Sequence, residues 1–279
     1  MSRLILAPLY GVLNILDRLE AITIHEDLVI HLEKLLLTLP ENTLVQALRK
    51  ISVVRDKEVS YEYGYFPTLS WHCGFVQTLG LRCLQLASVE LFIPESSSEP
   101  SIQTLFALEN LCFSDVVLHG AQLDQICDTP WNSLRHLTLE RLIYPDGPFC
   151  LQQFLLLTPN LESLTFSLSE YSRRDVINYD FPLLESLQYL SLGRTKLDVG
   201  TISHLSWACP NLTHFVGSDI GMDYSDWLET VEGGMFPSLE ILHLSNLNVV
   251  SWSHCSSETL SAACDRRQIS IDITDSVVI

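Results

Sequence analysis

Apolar positions along this chain recur in one short phrase, L-x-x-L-x-L, in which other apolar residues or a glycine sometimes stand for leucine. The copies are LEAITI from Leu19, LRKISV from Leu48, LRCLQL from Leu81, LENLCF from Leu108 and LRHLTL from Leu134. They continue as LESLTF from Leu161, LQYLSL from Leu187, LTHFVG from Leu212 and LEILHL from Leu239. Their starting leucines lie 29, 33, 27, 26, 27, 26, 25 and 27 residues apart, and a tenth candidate, QISIDI, begins at Gln268. The fourth and sixth positions alternate with polar ones at period two, which predicts a short strand with one face buried. Helical spacing follows several copies, as in VGTISHLSWA with Ile202 and Leu205 apolar, or LDQICD with Leu123 and Ile126. A unit of one strand and one helix cannot bury its own apolar face, so neighbouring units must stack.

The stretch LQYLSLGRTKLDVGTISHLSWACPNL resembles the cysteine-containing repeat of F-box leucine-rich repeat proteins. Thr195 stands near the family's polar turn, Leu197 and Asp198 near its Ile-Thr-Asp segment, and Cys209-Pro210-Asn211 at its exit. TPNL at 158–161, FPLLESL at 181–187 and FPSL at 236–239 repeat the Pro-before-Leu punctuation. The resemblance, which covers about residues 15–275, implies an α/β fold. This is a single right-handed leucine-rich repeat solenoid, a horseshoe with parallel strands on the concave face and helices or irregular segments on the convex face. Residues 1–18 are expected to form an N-terminal cap, followed by nine to ten repeats from 19 to 275. Cys209 is expected to close a helix as a small buried hydrophobe, with Pro210 stopping that helix.

By function, the resemblance implies a non-enzymatic protein-interaction module with the substrate-recognition or adaptor role of F-box proteins in ubiquitin ligases, and a cullin-type ligase adaptor as one partner. Only 18 residues precede the first copy, too few for an F-box, and LPENTLVQAL at 39–48 runs directly into the second strand. An F-box lost, an F-box outside this chain, and a module that works without one are the alternatives. A standalone inhibitor or regulator of a globular enzyme, like the ribonuclease-inhibitor or GTPase-activating solenoids, is the reading from another class.

Charge narrows the partners. The chain carries 34 acidic and 16 basic side chains, a formal charge of -18, which disfavours nucleic acid and anionic membranes and suits a basic protein partner. The eight cysteines form no CxxC pair, so reduced thiols and a cytoplasmic or nuclear setting are expected, in a monomer. LILAPLYGVLNIL after Arg3 is interrupted by Pro8, Gly11 and Asn14, which argues against a signal segment, and no apolar run is long enough for a membrane span. No catalytic or phosphate-binding motif is visible, and no cofactor or metal is expected. His204, Cys209 and His214 fall close together in sequence, but the repeat assigns them to helix, helix end and strand, with diverging side chains.

Binding is expected on the outward third and fifth positions of the strands, which form a rigid grid. These are small and polar through the middle of the chain and bulkier towards its end. The partner-binding candidates are therefore His136, Tyr189, His214 and His243. Beside them, Asp219, Asp223, Asp226, Glu229 and Glu232 lie in a stretch, from 197 to 265, with no Lys or Arg; they are the candidate electrostatic rim. The long second step holds the aromatics Tyr61, Tyr63, Tyr65, Phe66 and Trp71, expected in part as a protruding loop, and IPESSSEP at 93–100 reads as a polar loop.

Overall fold

The computed structural model describes residues 20–25, 49–54, 68–70, 81–92, 108–118, 131–143, 151–169, 180–247 and 255–274. The expected cap at 1–18, the F-box-like segment at 39–48, the helical spacing at 123–128, the loop at 93–100 and the aromatics from Tyr61 to Phe66, with Trp71, lie outside the described residues. Two compact units are formed, one from 1–134 with 142–147 and the other from 135–141 with 148–279.

In the first unit, β1 (Ala21–His25), β2 (Lys50–Val54), β4 (Cys83–Ala87) and β6 (Asn110–Ser114) pair in chain order, all parallel. Pairing keeps equivalent repeat positions opposite one another, as in Lys50↔Cys83 and Cys83↔Asn110. A second parallel ladder joins β3 (Thr68–Ser70), β5 (Glu90–Phe92) and β7 (Val117–Leu118). Only two residues separate β4 from β5 and β6 from β7, whereas thirteen, 55–67, separate β2 from β3. The extra length of the second repeat thus enters between the two ladders.

In the second unit, β8 (His136–Leu142), β9 (Ser163–Leu168), β10 (Tyr189–Gly193), β11 (His214–Ser218), β12 (Ile241–Ser245) and β13 (Ser270–Thr274) also follow chain order. Pairings from β9 to β13 are parallel, with Ser163↔Tyr189, Tyr189↔His214, His214↔Ile241 and Ile241↔Ser270 in one row. The tenth copy is therefore a strand in register. Its described helices are α1 (Leu151–Leu156), α2 (Val199–Ala208), α3 (Tyr224–Glu232) and α4 (Ser257–Arg266). One strand per copy, stacked in chain order, is the arrangement a repeat array requires.

The core follows the phrase. First, fourth and sixth positions such as Leu81, Leu84, Leu86, Leu187, Leu190, Leu192, Leu242 and Leu244 are at most 1% exposed, and each buried leucine contributes about 1.5–3 kcal/mol. At position eight the backbone turns left-handed, just past the strand or, in β8, which runs on through it, within the strand: Ser88, Asp115, Arg141, Arg194, Asp219 and Asn246 all have φ between 50° and 57°. That turn lets position eight donate to the position-seven carbonyl of the next copy, as Ser88 N–H does to Ser114 O at 2.9 Å and Arg194 N–H to Ser218 O at 2.8 Å. It also drives position nine inward. Val89, Val116, Leu142 and Ile220 are fully buried there, so the polar turn implied by the resemblance survives at Thr195 and Ser169 but is apolar in most copies. Ile220 takes up space beside Gly217, where a Cβ would meet its Cδ1 at 2.6 Å; the sixth-position glycine makes room for it.

After β10 and β11 the chain enters a helix at position twelve, an aspartate in both copies. Asp198 caps α2, accepting from Thr201 N–H at 2.6 Å, and these hydrogen bonds hold its carboxyl below the usual aspartate range. Asp223 caps α3 in a reciprocal box, accepting from Ser225 and Asp226 N–H while its own N–H donates to the Asp226 carboxylate at 3.0 Å. Gly233 and Gly234 end α3. Gly234, at φ +73°, donates to Val231 O, and Met235 N–H reaches Thr230 O, the two bonds of a left-handed helix stop.

Cys209 lies directly after α2, is fully buried, and has its thiol pushed up to about 12 by desolvation. It fills the space expected of it.

Candidate protein-binding face

The odd positions of the second unit's strands form a face of partly open side chains, because the even positions are committed to the core. In the third-position row, Tyr189 and His214 are register partners on β10 and β11, with ring centroids 6.5 Å apart and planes tilted by 36°. Ile241 continues the row on β12 with 38% of its surface exposed. Aliphatic surface at the end of a tilted ring pair is a shape that accepts an apolar group.

His214 is fixed from one side: its Nδ1 lies 2.8 Å from Thr213 Oγ1, which also reaches Gln188 O at 3.0 Å. His243 belongs to the fifth-position row, between Val216 and Asp272. Its Nδ1 is 2.8 Å from the Asp272 carboxylate. His136 is exposed on β8, with β9 between it and β10. The structure thus brings Tyr189 and His214 together, sets His243 one strand on in the next row, and leaves His136 apart from them.

The carboxylates divide differently. Asp219 is the left-handed residue after β11. Asp223 and Asp226 are engaged in capping α3, and Glu232 pairs with Arg266 at 2.7 Å, so this part of the acidic stretch does have an opposing base. Glu229 is exposed. Helix α3 packs through Trp227 onto Phe215 at 5.2 Å between centroids. Phe215 faces the core while its neighbours His214 and Val216 face outward, which puts α3 and its acids on the opposite side of the sheet from the ring pair. A rim directly beside the rings is not what the fold assembles.

Asp272 was missed because the tenth copy, QISIDI, was not carried into the outward grid; its aspartate at the fifth position was the available signal. Arg267 was missed as well. Its guanidinium donates to Val231 O at 2.9 Å, Met235 O at 3.0 Å and Phe236 O at 3.3 Å, closing the C-terminal end of α3, where backbone carbonyls lack helix partners.

The first unit's outward face differs in chemistry. It carries Lys50, Cys83 and Asn110 in one row and Ser52, Gln85 and Cys112 in the other, with Ser52, itself buried, donating to Gln85 at 2.8 Å. Burial pushes the Cys83 thiol up, against the opposing pull of Lys50.

Among the described residues no group of three His, Cys, Asp or Glu side chains is placed to hold a metal ion, and no helix is long and apolar enough to cross a membrane. His204 sits on α2 with its Nε2 4.0 Å from Asp180 and its ring 6.2 Å from that of Trp207. No protein-family model matches the sequence, and no curated protein matches it.

Proposed function

We propose that this chain is a leucine-rich repeat protein of the cysteine-containing type, a right-handed solenoid whose outward strand positions line a concave face, and that it works without catalysis as a protein-binding module. Its role in this reading is substrate recognition, as in the F-box proteins it resembles, and its partner is a basic protein met as a monomer in the cytoplasm or nucleus. The observation that supports it is the in-register row Tyr189, His214 and Ile241, which leaves a tilted ring pair and an exposed aliphatic group on consecutive strands. A net charge of -18 supports a basic partner.

Capture from cell lysate on the immobilised protein, with mass-spectrometric identification, tests this reading. A partner retained by the native chain and lost from a normally folded Tyr189→Ala variant supports it, chiefly through faster dissociation. Co-retention of a cullin-type adaptor supports the ligase role, and a globular enzyme retained without an adaptor supports the inhibitor role. Equal retention by Tyr189→Ala, His214→Ala and Ile241→Asp sinks the face as a binding site. The charge effect is best tested at Glu229 and Glu240, because neutralising Asp223 or Asp226 removes a helix cap. Glu229→Gln with Glu240→Gln should slow association and flatten its salt dependence.

A further inference from the structure

We propose that His243 and Asp272 together form the specific recognition point of this face, and that they receive one guanidinium group, an arginine of a partner segment lying across β12 and β13. The inference rests on reading the face as protein-binding and gives that reading a chemistry.

The argument begins with hydrogen positions. A carboxylate oxygen only accepts, so the His243 Nδ1 that lies 2.8 Å from Asp272 Oδ2 must carry the proton of that bond. In the neutral ring, Nε2 is then a bare acceptor. While the ring is neutral, Asp272 thus fixes Nε2 as the acceptor, whereas the imidazolium would present an N–H there. The aspartate side chain is itself 66% exposed, and its second oxygen has lone pairs that His243 does not use. Two acceptors on neighbouring strands, one of them anionic, call for a ligand with several N–H groups in a fixed fork. A guanidinium has five, whereas an ammonium acts as a point charge.

Among the described residues, no lysine or arginine is paired with His243 or Asp272. None of the outward positions of β10 to β13 is Lys or Arg, and after Lys196 the only Lys or Arg residues in the sequence are Arg266 and Arg267. Both are committed elsewhere, Arg266 to Glu232 and Arg267 to the carbonyls closing α3. An anionic ligand has nothing to meet here. The flanks fit the remainder of an arginine-bearing segment: Ile241 lies two residues before His243 and is 38% exposed, and the Tyr189–His214 pair continues that row. Methylene stems and neighbouring apolar side chains lie well on such surface.

The experiment uses the full chain and three peptides, acetyl-Ala-Arg-Ala-amide and its citrulline and lysine counterparts, followed by NMR. Long-range proton–nitrogen spectra of the histidine rings should show His243 protonated on Nδ1 and bare at Nε2. The arginine peptide should give saturable shifts at His243, Ile241 and Ile271, the citrulline peptide none, and the lysine peptide weaker ones. Asp272→Asn keeps the shape and removes the charge; it should weaken the arginine peptide by about two- to fivefold, the scale of an exposed charge pair. Melting curves check that the variant is folded. A wild-type ring bare at Nδ1 overturns the inference. So does peptide binding unchanged in Asp272→Asn, or shifts that concentrate on α3. If any of these occurs while a partner is still lost from Tyr189→Ala, the face remains a binding site without this chemistry; a partner indifferent to Tyr189→Ala removes the protein-binding reading whatever the peptide does.

Discussion

Copies in the two units begin alike and leave their strands differently. After β4 and β6 the chain passes through a left-handed residue and a buried valine, Ser88-Val89 or Asp115-Val116, and pairs again as β5 or β7. After β10 and β11 it passes through the same left-handed turn, at Arg194 or Asp219, and reaches Asp198 or Asp223, which caps a helix. They part at position ten, where β5 and β7 begin. At position twelve an aspartate satisfies the free N–H groups of a helix start after β10 and β11, whereas after β4 and β6 the backbone has by then found its partners in a second ladder. The strand phrase sets the stacking; from position ten onward the chain enters a second ladder in one unit and leads to a helix cap in the other.

Three measurements break or sharpen this comparison. The largest effect belongs to what the units share: Leu84→Ala in the first and Leu190→Ala in the second should each cost about 2–5 kcal/mol by opening a core cavity, while Ser191→Ala at an outward position should cost under about 0.5 kcal/mol. Denaturant melts giving equal losses at Leu190 and Ser191 would refute the register. A smaller effect belongs to the helical side alone. Arg267→Ala removes the charged donor shared by the carbonyls of Val231, Met235 and Phe236, of which Val231 and Phe236 keep the backbone N–H of Gly234 and Leu239, and should cost about 1.5–3 kcal/mol; hydrogen exchange should show α3 and α4 loosening first, and uniform loosening of the second unit's strands would count against a local role.

Smallest are the caps. Asp198→Ala should cost about 0.5–2 kcal/mol and Asp198→Asn much less, since Asn also accepts from the helix N–H groups. The sign of the pH effect comes from the lowered folded-state value at Asp198. Its contribution is complete above the unfolded value of about 3.9 and is lost as pH falls from there through the lower folded one. Stability measured from pH 5 down to pH 2 should therefore fall less steeply in Asp198→Ala than in the native chain. Parallel curves would mean that the cap bond is not formed in solution.

Much of this was legible beforehand because a strand with one buried face writes its register as period-two alternation. Leu84, Leu164, Leu190 and Leu242 could be assigned to the core from spacing alone, as could Cys209 from its place between a helical run and Pro210. The outward status of Tyr189, His214 and His243 followed by the same parity. What escaped was nonlocal or conformational. The left-handed turn at position eight is occupied by Ser, Asp, Arg, Arg, Asp and Asn, no one of which announces it, and the inward turn of position nine depends on it.

The sequence by itself determined which residues alternate and how often the phrase returns, because burial of one strand face is a local, periodic demand. The tertiary structure decided which side chains meet. Asp223 and Asp226, read from sequence as free charges, became a cap because helix α3 starts between them. Glu232 found Arg266 thirty-four residues away, and His243 found Asp272 on the next strand. Those pairings are set by the stacking of one copy on another, and no period within a single copy contains them.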